Sequence, residues 1–290
     1  MQKKRLMTNN TSELKQIANQ VRRDIIRMTN GAKSGHPGGS LGCVEFFTAL
    51  YFNVMKHDPQ NFTKEGKNDD LFFLSNGHIT PVYYSVLARC GYFSTDELST
   101  FRKYGTRLQG HPSVKNGLPG VRVASGSLGQ GLSVAIGAAL AKKMDGDERL
   151  VYTLHGDGEL QEGQIWEAVM FAGSKNVDNL ISTIDYNRQQ IDGTVDEIMS
   201  LGNLKAKFEA FDWDVVTVAN GNDMEQMLKG LEDAKFRTGK GKPVVIIMNT
   251  EMGYGVDFMQ GINKYHGVVP SDEECANALG QIPETTLGDY

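Results

Sequence analysis

An aspartate between two glycines, Gly156-Asp157-Gly158, stands thirty residues ahead of Asn187. Asp157 falls where an apolar segment, 150–155, runs into a turn. Asn187 falls where the next apolar segment, 180–186, ends. The spacing predicts a helix over 162–174 between them. In such a strand–helix–strand unit the chain returns parallel to its start, so the two strand ends lie side by side. A carboxylate and an amide oxygen then converge at one sheet edge. Hard oxygen ligands beside glycine-rich backbone suit Mg²⁺ carrying a diphosphate.

Four of the six histidines sit in turn-like, glycine-flanked contexts: Gly35-His36-Pro37-Gly38, Asn76-Gly77-His78, Gly110-His111-Pro112 and Tyr265-His266-Gly267. A lone loop histidine is ordinarily just solvated. Four in similar contexts are expected to share one pocket, because strand-to-helix loops of a parallel sheet gather at one edge. Imidazoles there could donate to phosphate oxygens or to a sugar-like hydroxyl and move protons near neutral pH. Their wide dispersal, without His-Glu-x-x-His or paired-cysteine spacing, argues against zinc. His57 has no such context and is expected on the surface. His155 reads either as near the site or as a packed strand-end residue.

Two further segments need explaining. Gly126-Ser127-Leu128-Gly129-Gln130-Gly131 opens a helix, but its spacing is not Gly-x-Gly-x-x-Gly, and no acidic residue ends a second strand at the expected offset. That argues against a dinucleotide; close backbone approach to a flat ligand suits the glycines better. Glu159, Glu162 and Glu167 follow Asp157. Complementing the helix dipole suffices for Glu159 but is less satisfying for Glu162 and Glu167.

The elements that must position these residues are helices over 11–29, 41–55, 79–90, 94–104, 131–144, 223–236 and 271–279. Ser94 with Glu97, and Ser271 with Glu274, form expected capping boxes. Strands are expected over 71–74, 121–124, 214–219 and 243–249, besides the two flanking the Asp157 helix. Alternating strands and helices predict an α/β fold, a mainly parallel sheet with helices on both faces. No linker is evident. Residues 1–290 read as one diphosphate- and Mg²⁺-binding domain, with 270–290 as a C-terminal extension and 280–290 expected to be mobile.

Composition excludes several classes. With 40% hydrophobic residues, 22% charged and a net charge of −5, the chain reads as globular, and its scattered Lys and Arg argue against nucleic acid. No apolar run is long enough for a bilayer, and the basic start, residues 1–10, is not followed by the apolar run of a signal peptide. Cys43, Cys90 and Cys275 are far apart and odd in number, which reads as reduced thiols in a cytoplasmic protein. The 33 glycines exceed the ~7% typical of soluble domains.

His-Gly-Asp-Gly-Glu-Leu-Gln-Glu-Gly at 155–163, with Asp185-Tyr186-Asn187 and Ile191-Asp192-Gly193, resembles the thiamine-diphosphate motif of transketolases. Ser34-Gly35-His36-Pro37-Gly38-Gly39, Leu74-Ser75-Asn76-Gly77-His78, Gly110-His111-Pro112, the 126–131 segment and Tyr265-His266-Gly267 resemble transketolase segments in the same order. The similarity runs from about residue 12 to 270. A bare Gly-Asp-Gly is weakly specific; the ordered set is highly specific. Transketolase chains normally continue through a pyrimidine-binding and a C-terminal domain, so this chain resembles the separate N-terminal subunit of a split transketolase.

The resemblance implies roles residue by residue. Asp157 and Asn187, with the backbone carbonyl of Gln189, would hold Mg²⁺, with Ca²⁺ or Mn²⁺ as alternatives. The Gly158 N–H, His78 and His266 would neutralise the diphosphate. Gly126, Ser127 and Leu128 would line the middle of thiamine diphosphate, and Ile191 would pack on its rings. His36, His111 and His266 would surround its reactive carbon and bind sugar hydroxyls. Glu162, with Glu167, would join a carboxylate network at the contact with a separate C-terminal subunit, which would bring the activating glutamate and most groups that hold the substrate phosphate. The implied assembly is α2β2 with dimer contacts through this chain. The implied reaction, placed in the pentose phosphate pathway, transfers a two-carbon ketol unit from a ketose phosphate to an aldose phosphate. The alternatives are an α-ketoacid dehydrogenase-like or deoxyxylulose-phosphate synthase-like subunit, or a non-catalytic cofactor-binding subunit.

Overall fold

Strand residues alternate between two apolar layers, and this alternation builds the molecule. The computed structural model describes residues 7–290. Five strands form a wholly parallel sheet: β1 (Leu71–Leu74), β2 (Val151–Gly156), β3 (Leu180–Tyr186), β6 (Asp214–Val218) and β7 (Val244–Asn249), in the order β1-β2-β3-β7-β6. A short antiparallel ribbon, β4 (Gln189–Gln190) with β5 (Gly193–Thr194), follows β3. Phe72, Tyr152, Leu154, Ile181, Val244 and Ile246 face one layer. Leu71, Val151, Leu180, Ile184, Val245 and Ile247 face the other. Burial on both faces is what a parallel sheet requires, because crossover helices cover it.

The first layer holds α1 (Thr11–Ala32), α2 (Pro37–Gly42), α3 (Val44–Ala49), α4 (Thr80–Cys90), α9 (Met224–Arg237) and α10 (Asp272–Gln281). The second holds α5 (Gly131–Met144), α6 (Gly163–Ser174), α7 (Val195–Met199) and α8 (Leu204–Ala210). Caps set several boundaries. Asn10 accepts from the Ser12 N–H at the start of α1, and Asp223 from the Gln226 N–H at the start of α9. The expected Ser271–Glu274 capping box is present on α10.

Other expectations are corrected. The helix expected over 41–55 begins earlier, at Pro37, breaks at Cys43 into α2 and α3, and ends in a π-helical turn over Leu50–Val54. Proline at a first helical position is pre-set for this start. The segment 94–104 forms only a 3₁₀ turn, Thr95–Thr100, without its capping box, because the Glu97 carboxylate is taken by Arg107 at 2.7 Å. Residues 121–124 form no strand; Arg122 there leans on the Phe62 ring and faces Asp69 at 3.5 Å. His57 is buried, 3% exposed, stacked on Tyr92 and bonded through Nδ1 to the Tyr92 hydroxyl at 2.8 Å and through Nε2 to the Tyr51 carbonyl.

The C-terminal segment is packed rather than mobile. Asp289 receives two hydrogen bonds from Arg23 of α1 at 2.9 and 2.8 Å, and the Tyr290 carbonyl accepts from Arg27 at 2.6 Å. Beneath lies a buried pair in which Arg89 of α4 donates twice to Asp24 of α1, at 2.9 and 2.7 Å. The basic start, residues 1–10, lies largely outside the described residues. No described helix is long and apolar enough to cross a membrane.

Candidate functional site

Parallel pairing of β2 with β3 sets Gly156 against Asp185. Asp157 therefore leaves the sheet beside the end of β3, and its N–H donates to the Asp185 carbonyl at 3.2 Å. Asn187 follows two residues past Asp185. The Asp157 carboxylate accepts from the Gly158 N–H at 2.8 Å and the Arg188 N–H at 2.5 Å. Asn187 accepts from the Gln189 N–H at 2.9 Å and donates to Asp185 at 2.7 Å. The Thr250 hydroxyl also donates to Asp185. Both aspartates are buried, and neither makes a salt bridge to a Lys or Arg side chain among the described residues. Burial, then the neighbouring Asp185 charge, pushes the Asp157 carboxyl up to about 8.

Opposite this pair stand the histidines, brought from four loops. His36 precedes α2, His78 lies in the turn before α4, His111 sits in the long loop that follows, and His266 closes a 3₁₀ turn after β7. The His36 ring centroid lies 5.2 Å from His78, 6.4 Å from His111 and 5.9 Å from His266, and His78 stacks on His266 at 5.3 Å. The four rings thus line one pocket. Burial, followed by the mutual repulsion of His266, Arg102 and His111, lowers the His36 pKa to about 4. His78 is pushed well below its ordinary value, and His111 and His266 are lowered, in each case chiefly by burial. All four rings are neutral at pH 7.

Together these groups line a cavity of about 390 Å³ that also includes Gly126, Leu128, Gly158, Gln189 and Ile191. Close backbone approach requires glycine at 126: its φ is +120°, and a Cβ there would sit 2.5 Å from the His111 ring. Leu128 and Ile191 remain 37% and 60% exposed at the mouth. Ser127 and Glu162 do not line the cavity: both are exposed, Glu162 at the N-cap of α6. Glu167 is likewise exposed on that helix. The Gly158 N–H, expected to face a diphosphate, folds onto Asp157, a local bond common to aspartate at helix starts.

A family profile described as the transketolase thiamine diphosphate binding domain matches residues 13–284. The chain belongs to the transketolase family. It is 40% identical over 274 residues to a subunit of the apulose-4-phosphate transketolase of Phocaeicola vulgatus, covering 94% of each chain. It is 39% identical to the 6-deoxy-6-sulfo-D-fructose transketolase subunit SqwG of a Clostridium species, covering 95% of this chain and 98% of that one. Among solved structures, transketolase of Campylobacter jejuni superposes with a TM-score of 0.87 at 34% identity over 97% of this chain. This chain spans only 45% of that protein.

The residues present fit the group that the transketolase family binds. Two buried carboxylates without a basic partner favour a cation, and the available donors, a carboxylate, an amide and backbone carbonyls, are hard oxygens. No cluster of three or more His, Cys, Asp or Glu suited to a metal occurs among the described residues. Buried His36 Nδ1, Asn76 Oδ1 and Ser125 Oγ lack hydrogen-bond partners, and polar atoms are seldom left so unless a ligand uses them. Glu159 is the principal residue that sequence reasoning misses: it is buried and accepts from Ser75, Gly129 and Gly156. Asp185, Asn76 and Arg102 escape it too. Only Asp185 carries a signal, its place two residues before Asn187.

Proposed function

We propose that this chain is the N-terminal subunit of a transketolase, moving a two-carbon ketol unit from a ketose phosphate to an aldose phosphate with thiamine diphosphate and Mg²⁺ in the cavity. The observation that carries the reading is the convergence of Asp157 and Asn187 at adjacent strand ends, facing four neutral histidines. Asp157 and Asn187 side chains and the Gln189 carbonyl would hold the metal, for which Ca²⁺ or Mn²⁺ could substitute. His78, His266 and the Gly158 N–H would meet the diphosphate. Gly126 and Leu128 would border the middle of the cofactor, and Ile191 its rings.

When bound, thiamine diphosphate supplies a carbon nucleophile and an electron sink for breaking the bond beside a ketose carbonyl. The chain's own residues then bind and move protons. His36, His111 and His266, held neutral by burial, can each accept a hydrogen bond from a sugar hydroxyl or give one to it. Proton transfer by such a positioned imidazole contributes about 10²–10⁴-fold. Glu162 and Glu167, exposed on α6, would meet a carboxylate of the partner.

The relatives named as transketolase subunits support a separate partner chain, which would carry the pyrimidine-binding half. The assembly would be α2β2, with its dimer contact through this chain. The free thiols of Cys43 and Cys275 favour the reducing cytoplasm. Sugar phosphates of the pentose phosphate pathway, apulose 4-phosphate and 6-deoxy-6-sulfofructose form the substrate panel. The test is calorimetric: the assembled enzyme should bind thiamine diphosphate only with Mg²⁺, and Asp157→Ala should abolish that binding. Unchanged affinity in the variant would remove Asp157 from the metal site.

A further inference from the structure

The Glu159 side chain is 1% exposed, yet it touches three separate stretches of chain. Its Oε1 accepts from the Ser75 hydroxyl at the end of β1 and from the Gly129 N–H at 2.8 Å. Its Oε2 accepts from the Gly156 N–H at 3.2 Å and lies 3.7 Å from His155 Nδ1. Ser75 Oγ in turn accepts from the Gly131 N–H at 3.1 Å, the first residue of α5. A buried carboxyl group is costly unless hydrogen-bonded, and both oxygens of this one accept hydrogen bonds.

The bonds converge on one segment. Residues 126–131 have no regular structure before α5, and Gly126 and Leu128 of that segment form a wall of the cavity. Gly129 has φ +87°, and at Gly131 a Cβ would collide with Ser75; the segment's other side-chain ties run to Gln164, which accepts from Gln130 at 2.8 Å and donates to the Gly129 carbonyl at 3.4 Å. We propose that Glu159 is a positioning residue: its carboxylate, with Ser75, pins the 126–131 loop to the ends of β1 and β2 and so sets the wall against which the cofactor lies. The inference rests on the cofactor reading above. Glu159 also borders the cavity, but its carboxylate oxygens are engaged by Ser75, Gly129 and Gly156.

Glutamine at 159 keeps the volume but removes the charge, and its amide nitrogen would confront an N–H donor at Gly129 or Gly156. The test compares the full chain as wild type, Glu159→Gln and Ser75→Ala. Hydrogen exchange without ligand reads the loop, and thiamine diphosphate affinity with Mg²⁺ is read in the complex with its C-terminal partner. The expected result is faster exchange confined to 126–131 in both variants. Cofactor Kd should rise about 10–100-fold in Glu159→Gln, the usual effect of losing an outer-shell partner. Turnover at saturating cofactor should stay near wild type, a split that general loss of structure would not give. Unchanged loop exchange in both variants, or unchanged Kd in a folded Glu159→Gln, overturns the proposal. A wild type that ignores thiamine diphosphate would instead overturn the cofactor reading, while the exchange data still decide whether Glu159 holds the loop. Should Glu159→Gln fail to fold, Ser75→Ala carries the same comparison.

Discussion

His36 illustrates how one side chain couples the cavity to pH. Its folded-state pKa of about 4 lies below the ordinary 6.5, so an unfolded chain binds this proton more tightly. Stability from keeping the ring neutral is therefore full above about pH 6.5 and declines as pH falls from there toward 4. Replacing His36 with Gln should flatten the fall in Tm across that window; thermal melts at half-unit intervals would show it, and an unchanged slope would mean other groups dominate. His111 differs. It sits against Gly126, away from Asp157's strand end, so His111→Ala should lower sugar turnover by about 10²-fold or more while changing cofactor affinity little. Parallel losses in kcat and cofactor affinity would relocate it to the diphosphate end. At this scale Asp157, Asn187 and the four histidines are legible because glycine and proline punctuate their loops. Glu159 is not, because its partners Ser75 and Gly129 stand 84 and 30 residues away.

Among the elements, α1 is the hub: α4, α10 and the C-terminal segment all lock onto its polar residues. Asp24 is wholly buried and depends on Arg89, Ser85 and Gln20. Arg89→Met should cost about 3–5 kcal/mol, because it strands a buried carboxylate, and denaturant titration would measure it. Loss below about 1 kcal/mol would show that Ser85 and Gln20 suffice. The helices themselves are readable from local signals: Asp223 caps α9, and Ser271 with Glu274 boxes α10. Local patterns mislead wherever a distant partner overrides them. Arg107 draws Glu97 out of its capping box, Tyr92 draws His57 inward, and Arg23 captures Asp289 from 266 residues away. The strand expected at 121–124 has suitable residues but no neighbour to pair with, and β propensity means little without one.

For the whole molecule, the exposed outer face of α5 and α6 bears on assembly. Val134, Met170 and Phe171 are exposed there, flanking an apolar hollow lined by Ile136, Leu140 and Ala168. Apolar area of this kind marks an interface. Phe171→Glu should shift the assembled enzyme to smaller species in analytical ultracentrifugation and leave the fold intact; an unchanged mass would place the dimer contact elsewhere. The parallel sheet covered on both faces is legible from the alternation of strands and helices. Its order, with β7 between β3 and β6, is not, since chain order alone does not say which strands β7 pairs with.

The four histidines lie between positions 36 and 266 and are brought together from loops far apart in the chain. The cavity is thus absent from the unfolded chain. A ligand that binds it recognises completed molecules alone and withdraws them from the unfolding equilibrium, by about 2.7 kcal/mol at a concentration of about 100 Kd. Vitamin supply would then govern how much of this protein a cell retains, since chains lacking the ligand stay within reach of proteases.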